Sequence, residues 1–284
     1  MTDLANAYQY CEDITKKQAK NFYYGIRLLK SEKRNAMSAL YAFARRVDDV
    51  GDSDESNEQK LIQLKELEAQ VASVENQDVP EDDLVLVALS DAVKKFSIPT
   101  GALSEIITGC EQDCNKTDYE TFADLVEYCQ YVAGSVGRLS LAVFSPNPDA
   151  KSFELADTLG IALQLTNILR DMVEDRDQMK RIYLPKEDLD RFGINSGLLG
   201  PASKLAELVR FEVSRAKEHY AIGFLLLDRL DSRSAACVRA MAGIYYELLN
   251  KIDRDPLAVF ESRISLTATE KTWVAVKSLL GVSP

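Results

Sequence analysis

The feature that most constrains the fold is a helical spacing of apolar residues that continues along nearly the whole chain. Apolar residues recur every three or four positions, and the alternation typical of β-strands is nearly absent. Proline and glycine interrupt this pattern at intervals, as in SPNPDA and NSGLLGPAS. The sequence therefore predicts an all-α protein, with helices over residues 4–18, 32–50, 58–74, 83–96, 101–115, 121–142, 150–176, 202–229, 232–252 and 268–280.

The length and the composition favour one large helical bundle. Of 284 residues, 46% are hydrophobic and 28% are charged, so the chain can bury a sizeable core. No repeat of roughly 20 to 50 residues and no low-complexity tract divides it. We expect a single domain over residues 1–284.

The charge balance disfavours nucleic-acid binding and limits how an anionic substrate could bind. With 45 acidic and 34 basic side chains, the formal net charge is -11, which disfavours nucleic acid as a partner. A phosphate-bearing substrate would be repelled too, unless metal cations or clustered arginines reversed the field at one site.

Cysteine usage and hydropathy indicate a reduced compartment and no membrane span. There is no Cys-x-x-Cys pair among the five cysteines and only one histidine in the chain, so we expect buried packing roles for Cys110 and Cys114. No secretory segment and no run of about 18 apolar residues occurs. We expect a cytoplasmic protein, with peripheral contact at the inner face of the membrane left open.

Two predicted helices each carry a polar stripe among apolar residues. In ALYAFARRVDDVGDSDE, spacings of four, three and four place on one line Tyr41, Arg45, Asp48 and Asp52. In LGIALQLTNILRDMVED, spacings of three, four and four do the same for Gln164, Asn167, Asp171 and Asp175. Carboxylates on otherwise apolar helices are costly unless a cation pairs with them.

A single stripe of this kind is usually a solvated helix face, but two of them favour a metal site. Paired carboxylates facing each other across a cavity can hold Mg²⁺, with Mn²⁺ as a substitute, and leave positions open for water and phosphate oxygens. Such a metal would neutralise a diphosphate and promote its departure from an allylic carbon. The remainder of the cavity should then be apolar.

The motifs that contain these stripes resemble the squalene/phytoene synthase family. The resemblance rests on YAFARRVDDVGD and LGIALQLTNILRDMVEDRDQMKRIYLP, and it extends to NFYYGIRLL, YCQYVAGSVGRLSLAVF, MAGIYYELLNKI and SRISL. It implies an isoprenoid-synthase bundle with a central cavity, whose metal ligands are Asp48, Asp52, Asp171, Asp175 and Asn167. It also implies isoprenoid diphosphate substrates.

The same resemblance implies roles for further residues. The catalytic set would add Tyr41 and Arg45 to the four aspartates. Substrate-binding or cavity positions would be Arg45, Gln164, Asn167, Arg170, Arg181, Tyr183, Tyr128, Tyr245 and Arg263. From the residues alone, Tyr128 and Tyr245 are equally consistent with core aromatic residues. The small residues of VAGSVG alone favour close helix packing or a kink, whereas the resemblance favours a broken helix beside the prenyl chain.

Two departures from the family pattern bear on the site. Ala19 and Asn21 stand where serines are common in the family, so hydroxyl contacts there are in question. The segment between Asp175 and Tyr183 is about one residue longer than the common form. We favour Arg181 over Lys180 as the diphosphate-contacting residue.

Within the family, NFYYGIRLL, ARRVDDVGD and GSVGRLSLAVF resemble bacterial presqualene diphosphate synthases, which join two farnesyl diphosphates. The alternative is a phytoene or dehydrosqualene synthase of a carotenoid pathway, and the substrate could be C15 or C20. No dinucleotide fingerprint is present, so we expect no nicotinamide cofactor. An inactive relative serving as a binding or assembly protein is the non-enzyme alternative, which the presence of all four aspartates disfavours. The chain could be a monomer or a homodimer.

Overall fold

The structure is a computed structural model that describes residues 4–19, 21–115 and 118–282. Within those ranges it contains helices and no strand, which confirms the all-α prediction. The α-helices are α1 (Leu4–Gln18), α2 (Phe22–Ile26), α3 (Ser31–Gly51), α4 (Asn57–Glu75), α5 (Leu84–Phe96), α6 (Gly101–Asn115), α7 (Phe122–Cys129), α8 (Ser135–Phe144), α9 (Ala150–Glu174), α10 (Lys186–Phe192), α11 (Ala202–Gly223), α12 (Ser232–Arg254) and α13 (Ala268–Leu279).

Helix α9 is the central element of the bundle. It contacts α8, α11 and α12, while α1, α3 and α5 pack on one another, and α6 contacts α3, α4 and α8. The N-terminus of α9 is fixed by Asp149, whose carboxylate accepts a hydrogen bond from the backbone N–H of Ser152 at 2.8 Å. Most buried apolar side chains form one continuous cluster among these helices.

Two helices are interrupted by wider π-turns at Gln130–Gly134 and Asp175–Met179. The first joins α7 to α8 inside the segment that periodicity predicts as one helix over residues 121–142. The second follows α9 and ends at Lys180, which has a left-handed backbone with φ of 58°. Each π-turn changes the direction in which the following side chains point.

The predicted helices differ from the observed ones mainly where an observed helix is short. The short helices α2 and α10 have five and seven residues, so neither shows a full apolar period, and the sequence does not predict them. The segment predicted as a helix over residues 202–229 changes to a 3₁₀-helix at Phe224–Arg229. The main helices lie where the periodicity places them.

The cysteines and the hydropathy agree with the sequence-based expectations. All five cysteines are buried and free of disulfides, which agrees with the packing role predicted for Cys110 and Cys114. Across the three described ranges, no helix is both long enough and apolar enough to cross a bilayer.

Small residues bring α9 close to the segment containing the first π-turn. A Cβ atom built on Gly160 would lie 2.3 Å from the carbonyl oxygen of Ala133, and one on Gly137 would lie 2.3 Å from that of Ala156. Both glycines also line the central cavity described below. VAGSVG therefore serves close helix packing and forms part of the cavity wall.

We expect Gly160→Ala to lower the free energy of unfolding by about 1 to 3 kcal/mol, because the added methyl group would overlap backbone atoms of Ala133. Gly101→Ala is the matched control, since a Cβ there would meet no atom within 4 Å. The control should change the same quantity by less than about 1 kcal/mol. Urea unfolding measures both, and equal stabilities for the two variants would contradict the close approach.

Candidate active site

The two acidic pairs line one cavity of about 500 Å³. Asp48 and Asp52 reach it from the end of α3, where Asp52 is the C-cap residue. Asp171 reaches it from the last turn of α9, and Asp175 from the junction with the following π-turn. The structure thus brings together the four carboxylates that the helical spacing singled out. We call this part of the cavity the acidic end.

Asp48 lies in a poorly solvated and acidic environment. Its exposed surface faces the cavity, where the surrounding protein limits its hydration and raises its pKa well above the ordinary value. The neighbouring carboxylate of Asp52 raises this pKa further, and the guanidinium of Arg45 opposes the change. Asp48 therefore lacks enough positive charge nearby, and a bound cation would stabilise its ionised form.

In the second pair, Asp171 forms ion pairs with arginines, whereas Asp175 has too little positive charge near it. Asp171 accepts a hydrogen bond from Arg170 Nε at 2.8 Å and lies 2.9 Å from Arg263 Nε. Burial raises the pKa of Asp175 to about 7, and the charges of Asp171 and Glu174 add to this effect. The acidic end therefore remains short of positive charge despite its arginines.

A fifth carboxylate, Asp113 of α6, also lines the cavity, and no sequence pattern predicted it. Its oxygens accept hydrogen bonds from the Tyr128 hydroxyl at 2.9 Å and the Tyr183 hydroxyl at 3.0 Å. Arg181 Nη1 lies 3.7 Å away. Burial raises the pKa of Asp113, while Arg181 and the two hydroxyls lower it.

The charge of Asp113 acts on both pairs, because it contributes to the raised pKa of Asp48 and of Asp175. The rings of Tyr128 and Tyr183 stack with their centroids 5.3 Å apart. Asp113 therefore contacts Tyr128, Tyr183 and Arg181 directly and acts on both pairs through its charge.

Away from the acidic end, the cavity is lined mainly by apolar side chains from several helices. These include Phe22, Ile106, Val132, Val136, Leu141, Phe144, Leu159, Leu163, Leu226, Val238 and Met241. A lining with charged groups at one end and hydrocarbon elsewhere suits a ligand with an anionic head and a long apolar chain.

Most of the substrate-site residues expected from the resemblance line this cavity. They are Tyr41, Tyr128, Gln164, Asn167, Arg170, Arg181 and Tyr183. Lys180, in contrast, is exposed and donates a hydrogen bond to the carbonyl oxygen of Asp177. Ala19 is buried, and Asn21 precedes α2 without a side-chain capping bond.

Three expected site residues lie elsewhere. Arg45 does not line the cavity, because its guanidinium turns to the carboxylate of Asp49 one helical turn further on. Tyr245 is buried behind the cavity wall and stacks on Phe22, with ring centroids 5.4 Å apart. Arg263 reaches the acidic end only from its rim, through the contact with Asp171.

The residues of the acidic end fit a divalent cation that is shared with a ligand. The buried Oδ1 of Asn167 accepts no hydrogen bond, although it lies on the stripe with Asp171. Among the described residues, no three carboxylate, histidine or cysteine side chains are close enough to enclose a metal alone. Paired carboxylates and an amide oxygen leave coordination positions for water and phosphate oxygens, as Mg²⁺ requires.

Comparison with known proteins agrees with this geometry. Residues 15–270 match the family described as squalene/phytoene synthase. A phytoene synthase of Mycobacterium tuberculosis is 43% identical, with 98% of this chain and 92% of that protein covered. A phytoene synthase of Arthrospira platensis is 33% identical, with 94% of this chain and 90% of that protein covered.

Solved structures show the same relationship. A dehydrosqualene synthase in complex with ligand superposes with a TM-score of 0.89 at 33% identity, covering 98% of this chain and 97% of that chain. A squalene synthase from Alicyclobacillus acidocaldarius superposes with a TM-score of 0.79 at 25% identity, covering 88% and 94%.

The chain therefore belongs to the squalene/phytoene synthase family, as the sequence motifs predicted. It is an enzyme of the prenyltransferase type, in a family that acts on isoprenoid diphosphates. The fold is that of the dehydrosqualene synthase to which it is compared.

Proposed function

We propose that the chain joins two allylic isoprenoid diphosphates head to head and carries the reaction through to a hydrocarbon. One observation carries the proposal, namely that a single cavity combines five carboxylates at one end with an apolar lining over the rest. The carboxylates suit a metal-bound diphosphate, and the apolar lining suits two prenyl chains.

We propose Mg²⁺, with Mn²⁺ as a substitute, as the cation of the acidic end. Asp48 and Asp52 would hold it from α3, and Asp171, Asp175 and Asn167 from α9 and the turn that follows. When bound, it would neutralise the diphosphate and make it a better leaving group. Removal of divalent cations with EDTA should abolish activity, and added Mg²⁺ should restore it.

The protein side chains would orient the diphosphate and protect the reacting carbon. Arg170 and Arg181 line the cavity with their guanidinium groups, which can donate paired hydrogen bonds to phosphate oxygens. The apolar side chains exclude water from the region beyond, where a cationic prenyl group would otherwise be quenched. No step here requires a nicotinamide cofactor.

For the product, we propose a carotenoid-type C40 hydrocarbon formed from two C20 diphosphates. Support comes from the two relatives with phytoene synthase names, at 43% and 33% identity, and from the similarity to a dehydrosqualene synthase. These findings favour the carotenoid alternative over the presqualene diphosphate synthase that the sequence motifs suggested first.

Product identification tests this proposal directly. The purified protein is incubated with Mg²⁺ and either geranylgeranyl or farnesyl diphosphate, without reduced nicotinamide, and extracted with and without phosphatase treatment. We expect a C40 hydrocarbon from the C20 substrate without phosphatase. A C30 product that is extracted only after phosphatase treatment would instead support presqualene diphosphate synthesis. Failure to couple either substrate would contradict the proposed reaction.

A further inference from the structure

Helix α13 carries a concentration of exposed apolar side chains. Twelve large hydrophobic side chains are exposed in the described part of the chain, and five of them fall within residues 273–282. Single exposed apolar residues are common on proteins, whereas a contiguous group indicates an interaction surface. We call this group the C-terminal patch, and its members are Trp273, Val276, Leu279, Leu280 and Val282.

Trp273, Val276 and Leu279 lie on α13, and Leu280 and Val282 follow its end. Val274, on the opposite face of α13, is buried in the core. The helix begins with a capping box between Thr267 and Glu270. At its end, the backbone N–H of Val282 donates to the carbonyl oxygen of Lys277 at 3.1 Å. The apolar side chains are thus presented outwards on a fixed support.

Basic side chains flank the patch. A surface pocket of about 340 Å³ adjoins the base of α13, and it is lined by Lys16, Tyr23, Tyr24, Arg27, Ala268 and Lys271. Ala268 also lines the shallow groove that contains Trp273. Lys277 Nζ lies 5.9 Å from the centre of the Trp273 ring. We call Lys16, Arg27, Lys271 and Lys277 the basic flank.

Three carboxylates lie near the flank, and each is paired with a lysine. Glu12 and Asp13 lie 3.3 and 3.6 Å from Lys16 Nζ, and Glu270 pairs with Lys251 at 2.9 Å. Glu12 and Asp13 offset part of the charge of the flank, but its four basic side chains outnumber these two carboxylates, on a chain whose net charge is -11. This local sign is opposite to that of an anionic lipid surface.

The charge complementarity favours a bilayer over a second copy of the chain. Two copies meeting symmetrically would bring their basic flanks together and would repel each other. A standard protein interface also needs about 20 to 30 residues on each side, far more than this patch supplies. A tryptophan with aliphatic neighbours and adjacent lysines is instead typical of helices that lie in the headgroup region.

We propose that the C-terminal patch and the basic flank dock the protein on the surface of a bilayer that contains anionic lipid. Trp273 and its apolar neighbours enter the headgroup boundary, while the basic side chains contact lipid phosphates. The docking does not depend on the reaction proposed above, so the two can fail separately.

The single tryptophan of the chain makes the test specific to the patch. The full chain is mixed with vesicles of phosphatidylcholine alone or with phosphatidylglycerol added, and binding is followed by flotation and Trp273 fluorescence. We expect co-flotation and a blue shift of the emission with the anionic vesicles. Phosphatidylcholine alone should bind at least about 5-fold more weakly.

Paired variants test whether vesicle binding depends on the patch and its basic flank or on exposed apolar and charged residues in general. Trp273→Ser with Leu280→Ser should abolish flotation, whereas Ile222→Ser with Leu225→Ser, a pair of comparable exposure elsewhere, should leave it unchanged. Arg27→Gln with Lys271→Gln should weaken binding about 5-fold for each charge removed. Lys151→Gln with Lys204→Gln is the matched charge control. Circular dichroism establishes that each variant is folded.

Two results would overturn the proposal. One is that the unmodified chain shows neither flotation nor a change in Trp273 emission with anionic vesicles. The other is a concentration-dependent dimer in solution that Trp273→Ser with Leu280→Ser abolishes, which would assign the patch to a second copy. If the serine pair at the patch does not fold, the charge variants and the Trp273 fluorescence of the unmodified chain still test the docking.

Discussion

Replacement of Asp48 by asparagine is expected to lower the rate of product formation by about 10² to 10³-fold while the fold is retained. An amide cannot supply the charge with which Asp48 would hold Mg²⁺ opposite a diphosphate. The unfolding free energy should hold or rise, because the raised pKa of Asp48 shows that its ionised form is poorly solvated and close to Asp52. Steady-state kinetics at saturating Mg²⁺ and urea unfolding measure the two effects.

The neighbouring Asp49 supplies the matched control. It lies one residue along the same helix, pairs with Arg45 and does not line the cavity, so Asp49→Asn should retain activity within a few-fold. Asp171→Asn should lose activity as Asp48→Asn does, but it should also lose stability, since it removes the charge that pairs with both Arg170 and Arg263. Near-normal turnover by Asp48→Asn would exclude a direct ligand role for that carboxylate.

Asp113→Asn is expected to lower kcat about 10 to 100-fold, with a smaller change in KM. Asp113 joins Tyr128, Tyr183 and Arg181 in one set of hydrogen bonds and charges. Without its charge, the Arg181 guanidinium loses its nearest anion and its position beside the diphosphate. We regard Asp113 as a positioning residue whose effect passes through Arg181 and Tyr183.

Glu111→Gln is the control for this variant, since Glu111 lies on the same helix but does not line the cavity. Arg181→Lys should show a similar loss if Asp113 acts through Arg181, and the double variant should lose little more than either single one. Full additivity of the two losses would contradict a shared role. Initial rates measured over a range of substrate concentrations separate kcat from KM.

Much of the fold could be predicted because long amphipathic helices are encoded by local spacing. Helices α3 and α9 each contain several turns of apolar residues, so their positions and their polar stripes follow from the sequence. The short helix α2 has no such repeat, and the π-turn at Gln130–Gly134 depends on contacts with α9. Tertiary packing, which local spacing does not encode, determines these elements.

The residues of the candidate site also differ in how far local spacing predicts them. Asp48 and Asp171 were found because each has a second carboxylate four residues away on its own helix. Asp113 has no such partner and meets its neighbours only across helices. One signal could have found it, since Asp113 follows Ile106 and Cys110 on an apolar face where a carboxylate is out of place.

Arg45 shows the converse case, in which spacing predicts a cavity-facing residue whose guanidinium pairs elsewhere. Spacing places its Cα on the line of Asp48 and Asp52, but a long side chain can turn to a partner on the next turn of the helix. The contact with Asp49 takes the guanidinium away from the cavity. Helical spacing therefore predicts the position of a Cα atom better than the position of the end of a long side chain.

The π-turn at Asp175–Met179 makes the number of residues in this segment a constraint in its own right. A π-turn is one residue longer than the α-helical turn it replaces, so this segment accommodates one more residue before Tyr183. Deleting one residue would tighten the turn and move the segment that begins at Lys180, and with it Arg181 and Tyr183, relative to Asp171. Insertions and deletions here would therefore displace two cavity residues without changing either side chain, so alignment gaps at this point carry information about mechanism.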